Sequence, residues 1–114
     1  MNFQKEKDLY LPLKKEWFDL IKSGEKKEEY REMNQYYERR FFNSILPPRF
    51  DFVEIEVGKR LRTFAKVVFT CGYPKADDTE RRLVFKNPKI RIGEGKPEWG
   101  AEKGKKYFVI TWEE

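Results

Sequence analysis

Lys22 to Glu32 reads KSGEKKEEYRE, a stretch in which cations and carboxylates interleave with almost no apolar side chains. These residue types suit recognition of an anion or a base edge. Lys26 and Arg31 can donate to phosphate, and Arg31 can do so bidentately. Glu29 can accept from an exocyclic amine, as a carboxylate does from cytosine N4, or it can hold Lys26 or Arg31 in place. A Lys26–Glu29 pair could also activate water as a general base, if burial makes the carboxylate basic enough. The opposing reading is a solvated surface laced with i,i+4 ion pairs, each contributing only about 0.2–0.5 kcal/mol.

Other residues could contact the same kind of ligand. YYERRFF (Tyr36–Phe42) mixes aromatics with Arg39 and Arg40, the combination that binds single-stranded nucleic acid by stacking and phosphate contact. Tyr37 and Phe41 are spaced for a core stripe, which leaves Tyr36, Arg39 and Arg40 to face a ligand. GKRLRTFAK (Gly58–Lys66) carries cations and no acid; it suits either tracking a phosphate backbone or protecting a strand edge with charge. Tyr73, in a Gly-Tyr-Pro turn, could stack on a base or anchor the turn. Trp99 reads as a packing anchor in a Gly/Pro loop. GEGK (Gly93–Lys96) lacks the spacing of a phosphate loop. Asp77, Asp78 and Glu80 form a tight acidic cluster better explained as a solvated loop than as a cation site, so no metal and no cofactor is expected.

Several chemistries are excluded outright. The 114 residues contain no histidine, which removes Ser-His and Cys-His catalysis, HExxH metallopeptidases and zinc sites that need His. A single cysteine, Cys71, permits no intrachain disulfide and suits a reducing compartment; following the apolar VVFT run, it reads as a small buried residue rather than a nucleophile. With no apolar run long enough to span a bilayer, a cytoplasmic location without a membrane partner is expected. The net charge of +5 favours an anionic partner, or serves solubility. Residues 1–32 balance their cations against their anions, so the whole excess lies after Glu32.

The elements that must position these residues fit one small domain, residues 1–114. Its aromatic share of 17% gives a short chain material for a compact core. DLYLPL (Asp8–Leu13) reads as a strand, with Pro12 tolerable at an edge. KEWFDLIKSG (Lys15–Gly24) reads as a helix with Trp17, Leu20 and Ile21 on one face, stopped by Gly24 at positive φ. Lys26–Glu32 is ambiguous. Tyr30, Met33, Tyr37 and Phe41 are spaced for a helix from about Glu28 to Phe42; a strand Lys26–Glu32, a break near Asn34 and a helix QYYERRFF fit as well. As a strand, it would point Lys27, Glu29 and Arg31 to one side and Glu28, Tyr30 and Glu32 to the other. Leu46–Pro48 ends any preceding helix. Strands follow at Phe50–Gly58, Thr63–Cys71, Arg81–Gly93 (interrupted at Asn87-Pro88) and Lys106–Glu113, the last in a central position. Helices early and strands later make an α+β domain.

WFDLIKSGEKKEEYRE resembles the signature region of the ASCH domain family, relatives of PUA domains. There a short helix ends in a glycine and a G-x-K-x-x-E-x-R pattern follows on a strand; here Gly24, Lys26, Glu29 and Arg31 fill it. FTCGYPK and GKPEWGAEKGKKYFVI are similar to the Gly-Tyr turn and the ending of small bacterial and phage members, so the resemblance covers about Leu11 to Trp112. It implies a PUA-like curled β-barrel with short helices flanking a cleft, the charged motif lining that cleft, and the strand form of Lys26–Glu32. It also implies binding of RNA or a nucleotide-like ligand, with Gly24, Lys26, Glu29, Arg31, Tyr36, Arg39, Arg40 and Tyr73 as the candidate contacts. Some members resemble small amidohydrolases acting on an acylated cytidine, and ribonuclease activity is attributed to another. In the amidohydrolases a Thr nucleophile lies three residues after the motif lysine; Glu29 stands there here, so an enzyme built on Lys26 and Glu29 would need another mechanism. A module for an acidic protein partner is the third reading. A monomer is the expected state.

Overall fold

The computed structural model describes residues 7–42 and 61–114. The strand expected at Phe50–Gly58, the helix stop at Leu46–Pro48 and the start of the Gly58–Lys66 patch lie outside the described residues. The architecture is α+β: strands β1 (Leu9–Leu13), β2 (Glu29–Arg31), β3 (Lys66–Cys71), β4 (Arg82–Glu94) and β5 (Lys106–Glu113), with helices α1 (Lys15–Lys22) and α2 (Gln35–Phe41). Its contacts group into two compact units. The first comprises the described residues of Met1–Glu28, with Thr63–Lys89 and Thr111–Glu114; the second comprises those of Glu29–Arg62, with Ile90–Ile110.

In the first unit the strand order is β1-β3-β4. β1 runs parallel to β3, Leu9 opposite Val67 and Leu13 opposite Cys71, and β3 runs antiparallel to β4, Val67 opposite Phe85. The two-residue period of a strand sorts the side chains. Along β1, Leu9, Leu11 and Leu13 are buried and Tyr10 is exposed, whereas Val67, Val68, Phe69 and Thr70 of β3 are all buried, so that strand is covered on both faces. Trp112 packs edge-on against Phe69 at 4.9 Å and stacks on Phe85 at 5.5 Å between ring centroids. Helix α1 lies against β3. It buries Phe18 and Ile21, so the expected stripe through Trp17 and Leu20 is rotated: both are only half-buried. A helical period cannot choose between adjacent apolar residues in WFDLI. The chain stops after α1 as expected, with Gly24 at φ +85° and its N–H donating to Ile21 O at 3.0 Å. Two strand boundaries differ from expectation. β3 begins at Lys66 rather than Thr63, and β4 runs through Asn87-Pro88 instead of breaking there. Asn87 takes φ +48°, a conformation Asn tolerates, and its side-chain amide donates to Glu113 Oε2 at 2.9 Å.

In the second unit the order is β4-β5-β2, so β5 holds the central place expected of it. Tyr107, Phe108, Val109 and Ile110 of β5 are all buried. β2 pairs antiparallel with it, Glu29 opposite Ile110 and Arg31 opposite Phe108. The strand is confined to Glu29–Arg31, shorter than the expected Lys26–Glu32. The continuous helix that periodicity allowed from Glu28 to Phe42 is not formed. Asn34 caps α2 instead, its Oδ1 accepting from Tyr37 N at 3.0 Å. Phe42, past the end of α2, bridges to Leu61, and Arg62 Nε donates to Phe42 O at 2.7 Å. No helix among the described residues is long and apolar enough to cross a membrane.

Candidate functional site

Glu29 and Arg31 stand two residues apart on β2 and so project from the same face. Glu29 Oε2 accepts from Arg31 Nη2 at 2.8 Å, with side chains only 7% and 13% exposed. Arg31 Nη1 donates to the Tyr37 hydroxyl at 3.0 Å. Burial acts to lower the Arg31 pKa, but the Glu29 charge and the Tyr37 hydroxyl outweigh it and raise the value, so the guanidinium stays charged. Tyr37 is held by an aromatic column: it stacks on Phe41 at 5.5 Å, and Phe41 meets Phe108 edge-on at 5.1 Å. The opposite face of β2 does ordinary structural work. Tyr30 packs on Tyr107 in a cluster with Ala101 and Val109, and its hydroxyl accepts from Lys96 N at 2.9 Å. Tyr30 passes so close to Gly95 that a Cβ there would sit 2.5 Å from the ring.

From Tyr37 the arrangement continues to the surface. Tyr36 meets Tyr37 edge-on at 4.9 Å and is 61% exposed. The Arg40 guanidinium lies 5.7 Å from the Tyr36 ring centroid, and its Nη1 is 3.5 Å from the Tyr36 hydroxyl. Arg39 is exposed on the same helix. Glu29, Arg31, Tyr37, Tyr36 and Arg40 thus form one connected set within the second unit, from a buried ion pair to an exposed aromatic–guanidinium pair. A stacking ring with adjacent cations is the equipment for a base and its phosphate.

Lys26 belongs to the first unit. Its side chain is buried, 2% exposed, with Nζ 4.5 Å from the centroid of the Trp17 ring, and its N–H donates to Leu20 O at 3.0 Å. Sequence reasoning assigned Trp17 to the helix core and missed this second role. The turn at Gly24 gives the glycine a conformational task, while a Cβ there would meet nothing within 4 Å. Tyr73, also in the first unit, is 92% exposed in the turn after β3, where Gly72 has φ +65°. Arg62 of the basic patch serves as a tie to Phe42. Asp78 accepts from Arg81 N and pairs with its guanidinium at 3.5 Å, which gives that member of the acidic cluster a role in the turn. Cys71 is half-buried, and Trp99 lies under Lys96 Nζ at 4.5 Å.

Comparison of the chain with protein-family models, curated proteins and solved structures gives no match.

Proposed function

We propose that this protein binds RNA or a nucleotide-like ligand through the set that runs from Glu29 and Arg31 to Tyr36 and Arg40, in a domain of PUA-like, ASCH type with a curled barrel. The observation that carries the reading is the buried Glu29–Arg31 pair tied through Tyr37 to an exposed ring and cation. A desolvated carboxylate and guanidinium are costly to maintain, and a hydrophobic pair would serve packing as well. Their retention beneath an aromatic–cation surface fits a recognition device. In this reading Arg40 takes an anionic group, Tyr36 stacks on a base, and the buried Glu29–Arg31 pair holds Tyr37 in place beneath them. Arg39 and the net charge of +5 favour a polyanion over a neutral ligand. The G-x-K-x-x-E-x-R resemblance supports the same reading. Hydrolysis by Lys26 and Glu29 is the less favoured function, because a carboxylate oxygen of Glu29 is already engaged by Arg31.

The test is binding of a labelled octacytidylate to the full chain, with Tyr36→Ala and Arg40→Ala as variants. Loss of a stacking contact costs about 1–3 kcal/mol, so each variant should weaken binding roughly fivefold or more. Parent protein that takes up neither the RNA nor cytidine monophosphate would remove the reading. Turnover of an acylcytidine or of the RNA, abolished by Glu29→Gln, would replace it with the hydrolase.

A further inference from the structure

Within the first unit the sheet presents exposed side chains that the functional reading above leaves unused. Tyr10, Val68 and Val84 stand directly opposite one another across β1, β3 and β4. Tyr10 is 53% and Val84 57% exposed, whereas Val68 between them is buried at 6%, so the two outer side chains of the row present apolar surface to solvent. They line an open cavity of about 400 Å³, a size that takes a small planar ligand. Lys66 and Arg82 also border it. Lys66 is paired directly with Lys86, both are exposed, and neither has an ion-pair partner among the described residues. Like charges directly opposite on neighbouring strands repel, a cost that a bound anion offsets. Arg82 reaches back to the Pro74 and Lys75 carbonyls, at 3.4 and 3.2 Å, and so tethers the turn that carries Tyr73.

We infer that the outer face of β1-β3-β4 is a binding site for a segment of single-stranded RNA, with a base laid on Tyr10 and Val84 and the adjoining phosphates on Lys66 and Lys86. An aromatic ring beside apolar surface takes the face of a base, and two opposed lysines take the charge that accompanies it. Asp8, the acid bordering the cavity, repels phosphate but accepts from an exocyclic amine, so the base it fits carries an amino group. The inference rests on the reading of the protein as a nucleic-acid binder, but it uses different strands and side chains and is tested separately.

Affinities of the full chain for labelled octacytidylate and octauridylate are measured across a salt series, with Tyr10→Ala, the double variant Lys66→Gln/Lys86→Gln, and Arg40→Ala. All four substituted residues lie outside the buried core, and circular dichroism checks that each variant is folded. Tyr10→Ala is expected to weaken octacytidylate binding about tenfold. The double lysine variant should weaken it and flatten the log–log salt slope by about 1.4, two single-strand phosphate contacts at about 0.7 each. Octacytidylate should bind more tightly than octauridylate. If Tyr10→Ala and the lysine variant bind like the parent while Arg40→Ala does not, the sheet face is overturned and the α2 site stands. If only Arg40→Ala is silent, the sheet face stands and the α2 site falls. Equal affinity for the two oligomers overturns the amine assignment, and cytidine monophosphate binding as tightly as the oligomer overturns the RNA segment as occupant.

Discussion

Two ion pairs of nearly equal length have very different weight in this protein. Lys15 Nζ and Asp19 Oδ2 meet at 2.6 Å, but their side chains are 80% and 51% exposed. Water screens such a pair, and holding two side chains still cancels much of its attraction. Glu29 and Arg31, at 2.8 Å and almost dry, cannot exchange partners for water. Removing one partner leaves the other charge buried, at a cost of about 3–5 kcal/mol. Glu29→Ala should therefore lower the urea midpoint strongly, while Asp19→Ala should leave it nearly unchanged. Tyr37→Phe removes an acceptor from a charged donor and should cost about 1.5–3 kcal/mol. A Glu29→Ala midpoint within error of the parent would show that the pair is solvated after all. That Glu29 and Arg31 share a face is legible from the strand period alone. The burial of Lys26 beside exposed Glu25 and Lys27 is not. It depends on how the chain leaves the Gly24 turn and meets Trp17, and no local pattern encodes that.

At the scale of elements, a few backbone decisions place the candidate residues. Asn34 ends the extended chain after β2 and caps α2, the helix whose Tyr37 hydroxyl accepts from Arg31. Asn34→Ala should cost about 1 kcal/mol and Asn34→Asp little, read as shifts in denaturation midpoint. Gly24 is a cleaner case, because a Cβ there has open space and only the φ of +85° opposes it. Gly24→Ala should then cost about 1–2 kcal/mol of backbone strain. Gly24→Asn should cost less, since Asn tolerates the left-handed region. An unchanged midpoint for Gly24→Ala would mean that the turn relaxes. The break near Asn34 was legible because a capping residue sits there. The bounds of β4 were not: Pro88 suggested an interruption, whereas Asn87 absorbs the irregularity and the strand continues. Proline signals a missing donor without saying whether the ladder needs it at that position.

For the whole molecule the relevant variable is charge. Lys15 and Lys105 have raised pKa values, each chiefly through a hydrogen bond to a carboxylate, Asp19 and Glu32 respectively. A raised value in the folded state favours folding below the unfolded pKa, and the contribution fades as pH rises through the folded one. Both contributions are therefore fully present at neutral pH and fade only above about pH 10. The chain has no histidine, the side chain that ordinarily titrates near neutrality. Between about pH 6 and about pH 8, then, no histidine changes charge and those two ion pairs keep theirs. RNA affinity at fixed ionic strength should be flat across that window. The same affinity should fall steeply when salt is raised, because each phosphate contact releases counterions. Polyglutamate at matched charge separates general attraction from recognition. The net charge of +5 attracts both polymers, but only the RNA offers bases to Tyr36 and Tyr10. A preference for RNA that persists as salt rises would locate the discrimination in stacking. Equal loss of both ligands would reduce the protein to a basic surface and point to an acidic protein partner.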